Sequence, residues 1–194
     1  MKRLSQLGFT MIELLIVISV LGILATGVLA AVDPFEQLKK ARDTNNRQSV
    51  LALQTAMIRY YATHGALPWD NASVAATCDG ATLFGAVRDT PATVTALEAC
   101  VELLEGDGEL KDGFVGALGS VADNVQVYSP DPTTGGISVS VCYVPTSKSI
   151  WAEDNTKYDN KGVDLTASAT PTCDATWKIG NPTLIGTTCY YCAK

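Results

Sequence analysis

The chain has little of what catalysis and cofactor binding usually require. It holds one histidine, His64, among 194 residues, which excludes designs that need an imidazole pair or a histidine-rich metal cluster. There is no glycine run of the kind that cradles phosphate. No Ser, His and Asp fall in a recognisable nucleophile arrangement. Cysteine is absent before Cys78, so a lipid attached just after an N-terminal apolar run is excluded too. Above all, charge is absent from Leu14 to Val32. Nothing here asks for an enzyme.

What is present begins with that same stretch. Its 19 uncharged residues, at about 1.5 Å each, make a helix of roughly 28 Å, long enough to cross bilayer hydrocarbon. An ordinary secretory signal has an apolar region of about 7–15 residues. Cleavage near Val28-Leu29-Ala30 would need one, and this run is longer and begins beside Glu13. A lone carboxylate in hydrocarbon costs several kcal/mol, so it requires a partner, a proton or a protein face. A cut between Gly8 and Phe9 would supply the partner. The new ammonium on Phe9 lies four residues before Glu13, and a staggered neighbour would bring a second one to the same depth.

The run Gly8-Phe9-Thr10-Met11-Ile12-Glu13-Leu14-Leu15-Ile16-Val17-Ile18, behind Lys2 and Arg3, closely resembles the class III signal of type IV pilins and type II secretion pseudopilins. The resemblance implies cleavage after Gly8 by a prepilin peptidase/methyltransferase, N-methylation of Phe9, and Glu13 as the filament-assembly residue. It implies self-association into a helical homopolymer, driven by an assembly platform protein and an assembly ATPase. It also implies a helix that loosens between a glycine and a proline. Gly22, Gly27 and Pro34 are the hinge positions, with Pro34 several residues later than the proline of many Gram-negative pilins.

The expected fold is α+β. A long N-terminal helix, membrane-spanning in its first half and amphipathic in its second, packs on a small antiparallel sheet, followed by a disulfide-stapled irregular region. The expected divisions are a leader at 1–8, a span and filament-core helix at 9–34, an amphipathic stem half at 35–64 and a globular head at 65–194. Residues 35–61 carry five basic and two acidic side chains, while residues 62–194 carry seven basic and sixteen acidic. An acidic head is a poor general partner for nucleic-acid phosphates. The basic leader and acidic head suit an exported head, held in the cytoplasmic membrane before assembly and in an extracellular pilus or periplasmic pseudopilus afterwards.

Along the chain, a helix from Phe35 to about Thr63 presents Val50, Leu53, Met57 and Tyr60 at helical spacing, with Gln48, Thr55 and Arg59 opposite. Lys39, Lys40 and Arg42 read as a solvated or headgroup-facing surface, and His64 as a surface residue. Gly65 and Pro68 end the helix. Residues 69–123 connect to the sheet. They include a chance-level glycosylation pattern at Asn71-Ala72-Ser73 and a helix opened by Thr90-Pro91 that carries Val94, Leu97, Val101 and Leu104. Val125–Tyr128, Ile137–Val144 and Ser149–Ala152 read as strands of a meander, with a turn at 130–136. Residues 153–194 show little periodicity.

All six cysteines lie in the exported part, where disulfides persist. Cys78 and Cys100 flank one loop and one helix and are expected to pair. For the other four, Cys142 is expected to take Cys189 or Cys192, with Cys173 taking the remaining one; a direct Cys189–Cys192 bridge is the rival. A zinc site from these four suits an exported protein poorly, and no metal ligand is assigned. Glu153, Asp154, Asn155, Asp159, Asn160 and Asp164 could offer oxygens to calcium, as the resemblance to calcium-binding pseudopilins encourages, but they do not match an EF-hand loop and read as solvated surface. No cofactor is required. The expected function is a structural type IV pilin subunit. The alternatives are a pseudopilin of a type II secretion or DNA-uptake apparatus, or, in another class, a membrane-anchored binding protein that does not polymerise.

Overall fold

A computed structural model describes residues 9–31, 33–71, 78, 91–130, 137–167, 172–180 and 188–194. The chain divides into two compact units, Met1–Gln37 and Leu38–Lys194. The expected cleavage residue Gly8, the expected helix start at Thr90, Ala72 and Ser73 of the glycosylation pattern, and turn residues 131–136 lie outside the described residues.

In the first unit, helix α1 spans Met11–Ala31 and runs through Gly22 and Gly27 without a break. Its few hydroxyls bond to its own backbone. Ser19 Oγ donates to Leu15 O at 2.8 Å, and Thr26 Oγ1 donates to Gly22 O at 3.1 Å and Ile23 O at 2.9 Å. Such back-bonding lets a polar side chain sit in an apolar surrounding. The next helix, α2, spans Pro34–His64. Asp33 Oδ1 caps its start, accepting from Phe35 N at 3.1 Å and Glu36 N at 3.3 Å. Pro34 occupies the first helical position, where a missing N–H costs nothing. Helix α1 ends at Ala31 and α2 begins at Pro34, with Gly22 and Gly27 both within α1.

The second unit is built on the inward face of α2. Val50, Leu53, Ala56, Met57 and Tyr60 are fully buried, each large one contributing about 1.5–3 kcal/mol by leaving water. They share one core with Val125 and Val127 of strand β2, Val141 and Tyr143 of β3, and Tyr191 and Ala193 of β5. The helix ends at Gly65, whose φ of +73° lets its N–H reach Tyr61 O at 2.8 Å. That is the left-handed stop a glycine makes cheaply.

Five strands, β1 (Ala92–Thr93), β2 (Val125–Tyr128), β3 (Ser140–Tyr143), β4 (Thr156–Tyr158) and β5 (Tyr190–Ala193), form one sheet in the order β1-β2-β3-β5-β4. Every pairing is antiparallel. The sheet is not a meander, because the late strand β5 enters between β3 and β4. Gly162 permits the chain after β4 to lie close to β3: a Cβ there would sit 2.7 Å from Ser140 Oγ.

Three local expectations are corrected. Pro91 does not open a helix. Ala92 and Thr93 instead pair with Val127 and Gln126, Thr93 Oγ1 accepts from Ala96 N at 3.2 Å, and helix α3 begins only at Glu98, ending at Gly106. The vacant edge of β2 outcompetes local helix propensity, yet Val94, Leu97, Val101 and Leu104 remain fully buried. Ile137 lies outside the third strand and is partly exposed. Finally, Ser149–Ala152 is not a strand. Residues Lys148–Trp151 form a single helical turn, α5, because Ser147 Oγ accepts from Ile150 N at 3.4 Å and caps it. Helices α4 (Phe114–Leu118) and α6 (Ala175–Gly180) complete the described helices.

One buried carboxylate fastens α2 to the loop after β3. Asp43 is completely buried and accepts from Thr146 N at 2.9 Å, Thr146 Oγ1 at 3.0 Å and Ser147 N at 2.7 Å. Tyr143 Oη donates to Asp43 O at 3.0 Å, and burial foremost pushes that phenol well above its usual range. A charge so placed is tolerable only while its donors remain. Asp43→Ala strands the buried Ser147 N–H and the partly buried Thr146 N–H and should lower stability by about 3 kcal/mol. Urea unfolding of the full chain in detergent, followed by circular dichroism, checks this; a change below about 1 kcal/mol would show that the contact does not hold the head together.

Candidate functional site

The chemistry concentrates at the N-terminal end of α1. Thr10 Oγ1 accepts from Glu13 N at 3.3 Å, while Glu13 Oε2 accepts from Thr10 N at 3.3 Å and from Thr10 Oγ1 at 3.1 Å. This reciprocal arrangement is a capping box, satisfying two orphan N–H groups of the first turn. It fixes the Glu13 rotamer through Oε2. Among the described residues, Oε2 is the Glu13 oxygen that accepts hydrogen bonds, and Oε1 accepts none. The pattern Thr10-Met11-Ile12-Glu13 before an apolar run is legible in the sequence as a capping signature. From sequence, Glu13 is expected to meet only an ammonium; the structure adds the Thr10 partner.

Beyond Glu13 the helix is apolar on all sides. Met11–Leu29 is long and apolar enough to cross a membrane, and no part of it is buried against the described residues. Every described side chain from Phe9 to Leu29 is exposed. An amphipathic helix would hide one face; α1 has none to hide. Phe9 lies just ahead of the helix, itself exposed.

The other candidate residues fall into structural roles. The disulfides join Cys78–Cys100, Cys142–Cys192 and Cys173–Cys189. Cys142 and Cys192 stand directly opposite one another in β3 and β5. Lys39, Lys40 and Arg42 are exposed on α2. His64 stacks on Tyr60 with ring centroids 4.1 Å apart.

In the late acidic loop Asp159 and Asp164 are engaged by the loop's own donors and by Lys157. Asp159 Oδ1 accepts from Lys161 N and Val163 N, both at 2.8 Å. Asp164 Oδ1 accepts from Thr166 N and Oγ1, and its Oδ2 meets Lys157 Nζ at 2.7 Å. The Lys157 ammonium first, then the Thr166 donors, hold the Asp164 carboxyl down at about 2. Among the described residues, no three His, Cys, Asp or Glu side chains gather in a way that could hold a metal ion.

Thr10→Ala removes the cap at the cost of about 1 kcal/mol. Amide exchange at Ile12 to Leu14, measured by NMR on the full chain in micelles, should then accelerate about fivefold. Unchanged exchange would mean that the capping box does not order the first turn.

The family model for the prokaryotic N-terminal methylation motif matches residues 3–29. The match begins at Arg3, runs through α1 to Leu29 and stops before α2. That motif is the class III prepilin signal of type IV pilins and pseudopilins, a signal of structural subunits and not of an enzyme family. No curated protein and no solved structure matches the chain.

Proposed function

From a chain that carries the class III prepilin signal at residues 3–29, we propose a structural subunit of the type IV pilin kind, which polymerises after cleavage between Gly8 and Phe9. The observation that carries the reading is Glu13, held by Thr10 through one oxygen and open through the other, on the rim of a helix uncovered on every side. Hydrolysis of the Gly8–Phe9 bond leaves an ammonium on Phe9, which the family's processing enzyme methylates. The methylated amine keeps its charge. In the membrane the head of residues 65–194 stays outside and α1 is dissolved in lipid. On assembly, driven by a platform protein and an ATPase, the Phe9 amine of an incoming copy meets Glu13 Oε1 of a copy already in place. A charge-assisted bond between them is about twice as strong as a neutral one. It also tests register, because a copy displaced by one turn leaves both charges in hydrocarbon.

Glu13→Ala should abolish filaments seen by electron microscopy of sheared cells, while leader removal and membrane flotation remain as in the parent. It keeps the hydrophobic span and removes only the charge lock. Filaments of normal number and length from this variant would overturn the assembly mechanism. Mass spectrometry of the filament subunit should find Phe9 as a methylated first residue.

A further inference from the structure

The three disulfides are not joined in the order in which the chain presents its cysteines. In sequence they run Cys78, Cys100, Cys142, Cys173, Cys189, Cys192. The first two are partners, but Cys142 pairs with Cys192 around the inner pair Cys173–Cys189. A head that follows an N-terminal membrane anchor is exported with its earlier cysteines first. Pairing in order of arrival gives Cys78–Cys100, then Cys142–Cys173, then Cys189–Cys192, so that two of the three bonds are wrong.

Chain statistics reinforce the error. Cys142 and Cys173 are 31 residues apart, against a separation of 50 for the native Cys142–Cys192 pair. The shorter loop closes about twice as readily, and it is available before residue 192 arrives. The native partner of Cys173 is also locally disfavoured, since Cys173 adopts a left-handed backbone with φ of 63°, a state the free chain visits rarely.

The wrong bonds cannot be tolerated. Residues Tyr190–Ala193 are the extended strand β5, and three residues of strand span about 10 Å. Disulfide-bonded Cα atoms lie within about 7 Å, so a Cys189–Cys192 bridge forbids the strand that sits between β3 and β4. In the finished head the four sulfurs are beyond reach: Cys142, Cys173 and Cys189 are at most 1% exposed and Cys192 is 8% exposed. Correction has to precede the docking of β5.

We propose that the exported head is a substrate of a thiol–disulfide isomerase, a partner defined by a reactive thiolate in the exported compartment. The inference rests on the exported placement of the head. The partner's thiolate attacks the Cys142–Cys173 bond, forming a mixed disulfide with one sulfur and releasing the other as a thiolate. The released thiolate attacks the Cys189–Cys192 bond, freeing a further thiolate. Successive exchanges yield Cys142–Cys192 and Cys173–Cys189 and return the partner's thiolate. Two disulfides become two disulfides, so no oxidant or reductant is consumed.

The test expresses the full chain in a bacterial host that keeps its exported thiol oxidase, with and without its exported disulfide isomerase. Free thiols are alkylated and the bonds mapped by non-reducing digestion and mass spectrometry. Without the isomerase, most chains should carry Cys142–Cys173 or Cys189–Cys192; with it, the native pairs should predominate at least fivefold. The double variant Cys142→Ala, Cys192→Ala leaves cysteines whose native order is consecutive, and Cys173–Cys189 should then form equally in both hosts, whether or not the sheet completes. Native pairing in full yield without isomerase would overturn the proposal, as would persistent isomerase dependence in the double variant. Six free thiols in the parent would overturn the exported placement, and this proposal with it.

Discussion

A helix of hydrocarbon side chains that none of the described residues covers has its apolar surface exposed on every face, and this governs α1. Each large apolar side chain left in water forfeits roughly 2 kcal/mol of transfer free energy, and between Met11 and Leu29 these side chains face every direction. The backbone is satisfied internally, and Ser19 and Thr26 spend their hydroxyls on their own helix. The helix is therefore compatible with lipid and with a bundle of its own kind, and with little else. A single charge on such a surface changes from a burden to an address. Among otherwise interchangeable apolar faces, Glu13 marks one depth at which a cation is worth more than hydrocarbon.

The head meets the opposite problem, because it must fold in water around a helix of which it uses only one face. Its answer combines an apolar stripe with a few long-range polar ties. Asp43 binds α2 to the loop that follows β3. Arg47 and Arg59, farther along the same helix, meet Glu153 at 3.1 Å and Glu109 at 2.6 Å. The two ion pairs are partly exposed and contribute modestly. Asp43 is different, since a buried carboxylate with its donors removed is far costlier than the same site never charged. Two of the three disulfides, Cys142–Cys192 and Cys173–Cys189, act on the late chain, where short strands bury too little to hold themselves down.

The legibility of this architecture follows the range of the forces involved. The stripe from Val50 to Tyr60 and the glycine stop at Gly65 could be read because helical period and left-handed φ are properties of a few neighbouring residues. The stripe from Val94 to Leu104 was read correctly as core while its element was misassigned, since burial pattern survives where backbone geometry is decided by an empty strand edge. Ser149–Ala152 looked like a strand because Ile150 and Trp151 favour one, but the Ser147 cap sets a helical turn first. β5 was missed altogether. Its neighbours β3 and β4 lie about 50 and about 35 residues earlier, and nothing within Tyr190–Ala193 announces a central strand. Asp43 was invisible for a related reason: its donors, Thr146 and Ser147, are about a hundred residues away, and it lies amid exposed basic residues. At the N-terminus the reverse held. The signal is contiguous, so its residues could be named in advance, and only the bond between Thr10 and Glu13 was added by the structure.

That added bond changes the physical account of assembly. Had Glu13 been free, its carboxylate would rotate among several orientations, and a neighbour's amine would have to order it on arrival at a cost in side-chain entropy of up to about 1.5–2 kcal/mol. The capping box settles that cost when α1 forms its first turn. It uses Oε2 for the purpose and leaves Oε1 to be met. In the proposed assembly Thr10 would act as a positioning residue one turn from the charge it positions, and no exchange of partners would be needed when a second chain arrives. The same economy explains why the capping residue lies beside the new terminus. Under the proposed cleavage after Gly8, the new ammonium would lie within two residues of the hydroxyl that aligns the acceptor, so one short segment would carry both a donor and an acceptor for neighbouring copies.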